Sequence, residues 1–393
     1  MTIAFIITLC SLLLLAYTFE ITASKTKIPS VILLLFLGWG VKQLTDLFHL
    51  ELPDLDPLLP ILGTIGLIVI VLEGALDLEI NKSKIPLIKK TVTTAFIPMV
   101  LLGFILAFVF VYFGEYDFKK SLTSAIPLCV ISSAIAIPSV KHLRRQNREF
   151  VTYESSLSDI LGVLFFNFVA FNITIDFSSF LMFIFHLVLI TIISFFATVG
   201  LSFLLSRIDH HIKFAPIIVL VILIYAVSKV YHLPALIFIL LFGLFIGNLD
   251  ELKNFKWIKA LRPDELDKEV HKFKDILVEA TFIIRAMFFL LFGYLIDTKE
   301  LINQETLIWA GGIVGAIFLL RFIQLKLLKV SLYPLLFIAP RGLITILLFL
   351  AIDVENRISI VGKPLIVQVI ILTALVMMFG LMFHKKSKKS SVV

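Results

Sequence analysis

Apolar stretches long enough to cross a bilayer alternate with short polar joints along almost the whole chain. A membrane-spanning helix needs about 20 mainly apolar residues. Hydropathy predicts an all-α membrane protein of about thirteen spans, at 3–19, 28–47, 57–77, 91–113, 120–140, 150–172, 178–206, 214–230, 234–248, 274–296, 306–328, 331–352 and 362–384. The division around Tyr231 to Pro234 is the least marked. Helix breakers gather in two spans. The fifth carries Pro127 and Pro138 around Ser132-Ser133, and the twelfth carries Pro334 and Pro340 around the segment ending Ala339-Pro340-Arg341-Gly342. If 1–175 and 212–386 are two repeats joined by the span 178–206, both broken spans are the fifth member of their half. An odd repeat inverts one half relative to the other. Inverted repeats with paired, crossed, broken helices are the mark of a secondary transporter, with its site at the crossing. The whole chain, 1–393, reads as a single integral membrane domain.

The polar joints carry a topology of their own. Inward-facing loops of a membrane protein are rich in Lys and Arg. With the N-terminus outside, alternate joints fit: Lys25/Lys27, Lys82/Lys84/Lys89/Lys90, Lys141/Arg144/Arg145/Arg148, Arg207/Lys213, Lys326/Lys329 and the tail Lys385-Lys386-Ser387-Lys388-Lys389. The intervening joints are acidic or poor in basic residues, with Glu51/Asp54/Asp56, Asp176 and Asp297/Glu300/Glu305. The C-terminus then lies in the cytoplasm, and the plasma (inner) membrane is the expected location. The polar segment 251–274 reads as an amphipathic helix on the cytoplasmic surface.

Composition agrees with this reading and removes other classes. Of 393 residues, 60% are hydrophobic and only 16% are charged, against about a quarter in soluble domains. The net charge of +7 is accounted for by loop topology and calls for no nucleic-acid partner. Cys10 and Cys129 both sit in apolar runs, so no disulfide framework or metal cluster is expected. Walker loops, zinc-ligand spacings and serine-hydrolase elbows are absent from the sequence. His210-His211 and His232 fall at membrane boundaries, where solvated loop histidines and pH sensors look alike.

The chemistry concentrates in the sixth span, which opens Tyr153-Glu154-Ser155-Ser156-Leu157-Ser158-Asp159. Counted from Phe150, Asp159 lies about 13 Å into a span of about 30 Å. A carboxylate at that depth is costly unless it faces a partner or a watery cavity, and such acids mark ion and proton pathways. In a low-dielectric site Asp159 holds a proton or a dehydrated cation, but not both at once. That competition alone couples two opposed fluxes. Ser158, Ser132 and Ser133 offer hydroxyl oxygens suited to a hard cation, although interhelical hydrogen bonding is an ordinary use of such residues.

Several segments resemble the monovalent cation/proton antiporter superfamily, which includes the sodium/proton exchangers. Ile28-Pro29 resembles the start of that family's second span. Gly66-Leu67-Ile68 to Leu72-Glu73-Gly74-Ala75-Leu76-Asp77-Leu78 is similar to its third-span pattern "GLIxLxFExGLxL". Glu154 to Asp159 is similar to "ESLLND" of the electroneutral branch and to the "QD" segment of the potassium-efflux branch. Val130 to Ala136 resembles "LSSTAI" of the latter, and Arg341-Gly342 resembles the exchangers' "LRGA". The chain departs from the family at the "TDP" segment, having no acid between Lys120 and Arg148. It has Ala134 for the threonine of "SSTA", and Ser158 before the key aspartate where the family has Asn or Asp.

The resemblance implies a homodimer in lipid, a cargo of monovalent cations and protons, no cofactor, and a part in pH homeostasis. It also implies a basic residue in the eleventh span near the ion site. Arg321 is alone in its apolar run, and the need of Glu154 for a partner points to it; such a pair organises the core without titrating. Glu73 is implied as a lining of the cytoplasmic funnel, with snorkelling to the interface as the alternative. Arg341, following Pro340, is expected at the crossing, against helix-end carbonyls or an acid. Glu279 and Arg285 are six residues apart and share no helix face, and a common network or separate interfacial positions remain equally open. The reading is antiport of sodium, or alternatively potassium, for protons at Asp159. One titrating carboxylate makes the exchange electroneutral. The other classes are an intramembrane acid-pair enzyme and a non-transporting sensor. Glu154 and Asp159 project about 140° apart on a helix, which disfavours the enzyme.

Overall fold

A computed structural model of the chain describes residues 2–26, 28–49, 55–172, 176–207, 214–231, 233–249 and 263–383. These residues are helical with short connections. The helices are α1 (Thr2–Thr26), α2 (Ser30–Leu47), α3 (Leu58–Leu76), α4 (Ile85–Gly114), α5 (Phe118–Ala125), α6 (Ser133–Ser139), α7 (Arg145–Phe171), α8 (Phe177–Arg207), α9 (Phe214–Val230), α10 (Leu236–Gly247), α11 (Pro263–Tyr294), α12 (Thr298–Leu301), α13 (Gln304–Leu327), α14 (Leu343–Leu350) and α15 (Lys363–Met382). Among the described residues, nine helical stretches are long and apolar enough to cross a membrane unaided. The other four expected spans fall short for separate reasons. The helix α7 carries a charged first half, α9 and α10 are short, and the twelfth span is broken.

Helix starts follow local chemistry. The Asp117 carboxylate caps α5 by accepting the amides of Lys119 (2.9 Å) and Lys120 (3.3 Å). Asn303 accepts the Thr306 amide at the start of α13. Proline stands in the first turn of α4 and of α15, where a missing N–H costs nothing. The sequence segment expected to form a surface helix over 251–274 divides. Residues 251–262 lie outside the described residues, and from Pro263 onward the chain already belongs to α11, which runs without a breaker into the membrane. His210-His211, His232, Glu51, Asp54 and the basic tail also lie outside the described residues.

The helices sort into two groups by their packing. One comprises α1, α2, α3, α8, α9, α10 and α11; the other comprises α4, α5, α6, α7, α13, α14 and α15. The first is held by close backbone approach. A Cβ on Gly38 of α2 would lie 2.1 Å from the Leu290 carbonyl oxygen, and one on Gly293 of α11 would lie 2.3 Å from that of Leu35. Small residues that let two backbones touch are the usual means of packing helices in lipid, where apolar side chains gain little by leaving the tails. The groups meet where α3 touches α6, α7 and α14, and where α10 touches α7. At one end of the bundle lie Lys84, Lys141, Arg145 and Glu149, linked by the Lys84–Glu149 and Arg145–Glu149 pairs. At the other lie Asp56, Asp297, Glu355 and Lys363. We call these the basic and the acidic end.

Candidate functional site

The two broken spans meet inside the second group. The fifth span is helical through α5, tightens into a turn at Ile126–Leu128, runs non-helically past Ser132, and resumes as α6. The twelfth has a short turn at Leu335–Phe337, then non-helical chain to Gly342, then α14. The Ser132 amide donates to the Pro340 carbonyl at 2.9 Å, so main chain joins one break to the other. Gly342 is required there by space. A Cβ on it would stand 2.7 Å from Ile135 Cδ1 and 2.8 Å from Ser132 Oγ.

Into this join the side chains of α7 project. One oxygen of Asp159, Oδ2, accepts the Ser133 amide at 3.2 Å and the Ser133 hydroxyl. The other, Oδ1, has no hydrogen-bond partner, and the residue is 1% exposed. The Ser132 hydroxyl is likewise buried and without a partner. Ser158 is differently engaged, since its Oγ accepts the Ile131 amide at 2.9 Å and so pins the unwound strand of the fifth span to α7. Of the three serines singled out by sequence, the structure brings Ser133 onto Asp159, leaves Ser132 open beside Gly342, and commits Ser158 to the backbone.

Glu154 lies on another face of α7 and meets Arg321 of α13. Arg321 Nη1 donates to Glu154 Oε1 at 3.1 Å and Nη2 to Oε2 at 2.8 Å, a two-pronged pair, while Nε donates to the Leu335 carbonyl at 2.8 Å. Their exposures of 1% and 3% mean that neither charge is shared with bulk water. Arg341 is also buried, and meets carbonyls rather than an acid. Its Nε donates to Leu128 O (2.7 Å) and its Nη1 to Ala339 O (2.9 Å), and its own amide donates to Thr373 Oγ1 (3.0 Å). The guanidinium thus covers the carbonyl end of the fifth span's first half, where unsatisfied backbone oxygens gather.

These features define one arrangement: a buried acid with a free oxygen at the join of two broken membrane helices, beside a second acid already neutralised. The sodium/hydrogen exchanger transmembrane family model matches residues 10–385. The chain belongs to the sodium/hydrogen exchanger family. This exchanger is an integral membrane protein of a family that carries monovalent cations and protons, and cation/proton antiport is the activity this membership supports. Its fold is similar to that of the sodium proton antiporter MjNhaP1 from Methanocaldococcus jannaschii, solved at pH 8. The match has a TM-score of 0.71 and 21% identity, and covers 95% of this chain and 98% of that one. An electron-microscopy structure of the same antiporter matches with a TM-score of 0.69 and 20% identity, over 97% and 95%. No curated protein sequence matches the chain significantly.

A second polar cluster in the exchanger was not anticipated. Glu20 of α1 accepts the Ser30 hydroxyl at 2.7 Å, pairs with Arg285 Nη2 at 3.3 Å, and lies 3.6 Å from Lys141 Nζ. Glu73, half-buried on α3, lies near Arg285 and Thr281, and Lys274 pairs with Asp77 one turn on. Glu279 is exposed, so Arg285 shares no network with it and turns to Glu20 instead. The Lys141–Glu20 contact links the two helix groups near the basic end. Also there, the Tyr153 hydroxyl donates to the Glu79 carbonyl at 2.6 Å. At the acidic end a cavity of about 620 Å³ separates the groups, lined by Asp56, Leu59, Phe292, Ile346, Phe349 and Lys363. The seam between the groups is therefore open at the acidic end and closed at the basic end.

Proposed function

We propose that this chain exchanges sodium for protons at Asp159, one for one, by alternating access. The observation that carries the reading is the asymmetry of the two buried acids. Glu154 has both oxygens on one guanidinium, whereas Asp159 has an oxygen that nothing else uses. A cation bound at Asp159 Oδ1 is reached by the Ser132 hydroxyl and by carbonyls released at the breaks, the oxygen ligands a monovalent cation prefers. A proton on the same carboxyl excludes that cation. With Glu154 and Arg321 paired to each other, the site carries the same charge with either cargo, so exchange is electroneutral.

In this proposal the group containing α7 is the moving core, and the group containing α1 to α3 is a scaffold through which two copies dimerise. The halves 1–175 and 212–386 are inverted repeats about α8, with the joined breaks as their crossing. The basic end faces the cytoplasm, so the N-terminus is outside and the cavity opens outward. The likeness of Val130 to Ala136 to the potassium-efflux branch supports potassium as the alternative cargo. The test is dissipation of an imposed pH gradient in proteoliposomes on adding sodium, potassium or lithium. Asp159→Asn should reduce exchange to the rate of empty vesicles. Exchange that persists in this variant would overturn the reading, and a response to imposed membrane potential would overturn the stoichiometry.

A further inference from the structure

One turn along α7 from Asp159, toward the basic end, lies Ser156. Residues three apart share a helix face, with Cβ atoms about 5–6 Å from one another. Ser156 is 6% exposed, and its hydroxyl has no hydrogen-bond partner. That is unusual for a helical serine, which can turn its hydroxyl back to a carbonyl one turn earlier. Its neighbour Ser155 does this, donating to the Val151 carbonyl at 2.8 Å. Ser156 instead faces α3, where a Cβ on Gly74 would stand 3.0 Å from its Oγ. The hydroxyl therefore lies at the seam between the two helix groups, on the side closed in this structure. Glu73, next to Gly74 in the chain, turns instead toward Thr281 and Arg285 of α11.

We propose that Ser156 is a cation-positioning residue on the route from the basic end, receiving the partly dehydrated cation one helical turn before Asp159. The proposal rests on the antiport reading above. Three observations converge on it. A buried polar group without a partner is costly, so a hydroxyl kept at this position is explained by a partner that arrives when the seam opens. Its oxygen is of the kind that replaces hydration around a monovalent cation. Gly74 presents no side chain to it, so the hydroxyl faces α3 main chain and is uncovered only when the two groups part. Ser156 also stands where the family segment "ESLLND" has leucine, so the added hydroxyl is a feature of this chain and its influence is on this chain's cation preference.

The test measures exchange in oriented proteoliposomes, varying sodium chloride or potassium chloride separately on each side. Ser156→Ala should raise the KM for the cation on the basic-end side by about three- to tenfold, the loss of one hydroxyl ligand. The kcat and the KM on the acidic-end side should stay within about twofold. Ser156→Thr retains the hydroxyl and should keep both KM values, which also reports whether the position tolerates replacement. A KM unchanged on both sides in the alanine variant overturns the proposal. So does a fall in kcat with unchanged KM, or an equal rise on both sides, since those are the marks of a packing role. Asp159→Asn runs in parallel. If it is inactive while Ser156→Ala behaves as wild type, only the present proposal fails; if it is active, the antiport reading has failed.

Discussion

Removing Arg321 should damage this protein more than removing Arg321 and Glu154 together. The two charges meet at 2.8 and 3.1 Å and are almost fully excluded from solvent. At a separation of about 3 Å and an effective dielectric of about 20, their attraction is about 5 kcal/mol. Much of that offsets the cost of taking both ions out of water, so the pair as a whole adds little net stability. Arg321→Met alone leaves Glu154 charged in an apolar site and should cost about 3–5 kcal/mol. It also releases the Leu335 carbonyl held by Arg321 Nε. In Glu154→Gln/Arg321→Met nothing charged is stranded, and most of the loss should return, giving a coupling energy above about 1.5 kcal/mol. Denaturant unfolding in detergent, on all four members of the double-mutant cycle, measures this directly. The double variant should also retain proton-coupled exchange in vesicles, because neither residue carries cargo. A double variant no more stable than Arg321→Met would refute the energetic argument. Loss of exchange in a well-folded double variant would refute the assignment of transport to Asp159 alone.

Gly342→Ala introduces a methyl group where Ser132 Oγ and Ile135 Cδ1 lie within 2.8 Å, so it should cost about 1–3 kcal/mol and slow exchange at least tenfold. Exchange at the wild-type rate would show that the join of the two breaks is not needed in the transport cycle. At the acidic end, outside the spans, a hydrogen bond from Lys42 holds the Asp297 carboxyl below its ordinary value, opposed by some burial. The sign follows from linkage: this pair stabilises the fold above the unfolded pKa of about 3.9, and the contribution is lost as pH falls through the lower folded value. Asp297 is 59% exposed, so the effect is small. Asp297→Asn should lower the melting temperature slightly at pH 7, converge with wild type in acid, and so flatten the profile below about pH 4. A wild-type slope in the variant refutes the assignment.

Much of this architecture was legible in the residues because lipid leaves few choices. Single charges in apolar runs must find one another, which is why Glu154 pointed to Arg321. The same rule applied to Glu20 and Arg285 would have paired them. The sequence does not single the pair out, because Glu20 sits near the end of its run, where a carboxylate can reach the interface, and Arg285 has Glu279 on its own helix. The prolines located the broken spans but not the breaks. Pro138 lies inside α6 and Pro98 inside α4 without interrupting either, while the fifth span unwinds between Pro127 and Ser133. The hydroxyls were the least legible. Ser132, Ser133, Ser155, Ser156 and Ser158 are alike in sequence. Only three-dimensional placement separates the one on Asp159 from those bound to backbone and those with no partner.

The bond from the Ser132 amide to the Pro340 carbonyl carries a consequence for how such a protein can change over evolutionary time. A joint made by main-chain atoms asks of its neighbours mainly that they leave room, as Gly342 does. Side chains around it can differ without breaking that bond, as Ala134, Ser158 and the stretch without an acid between Lys120 and Arg148 differ from the family segments this chain resembles. In a chain built this way the scaffold of the machine and the choice of its cargo are written in separate parts of the same residues.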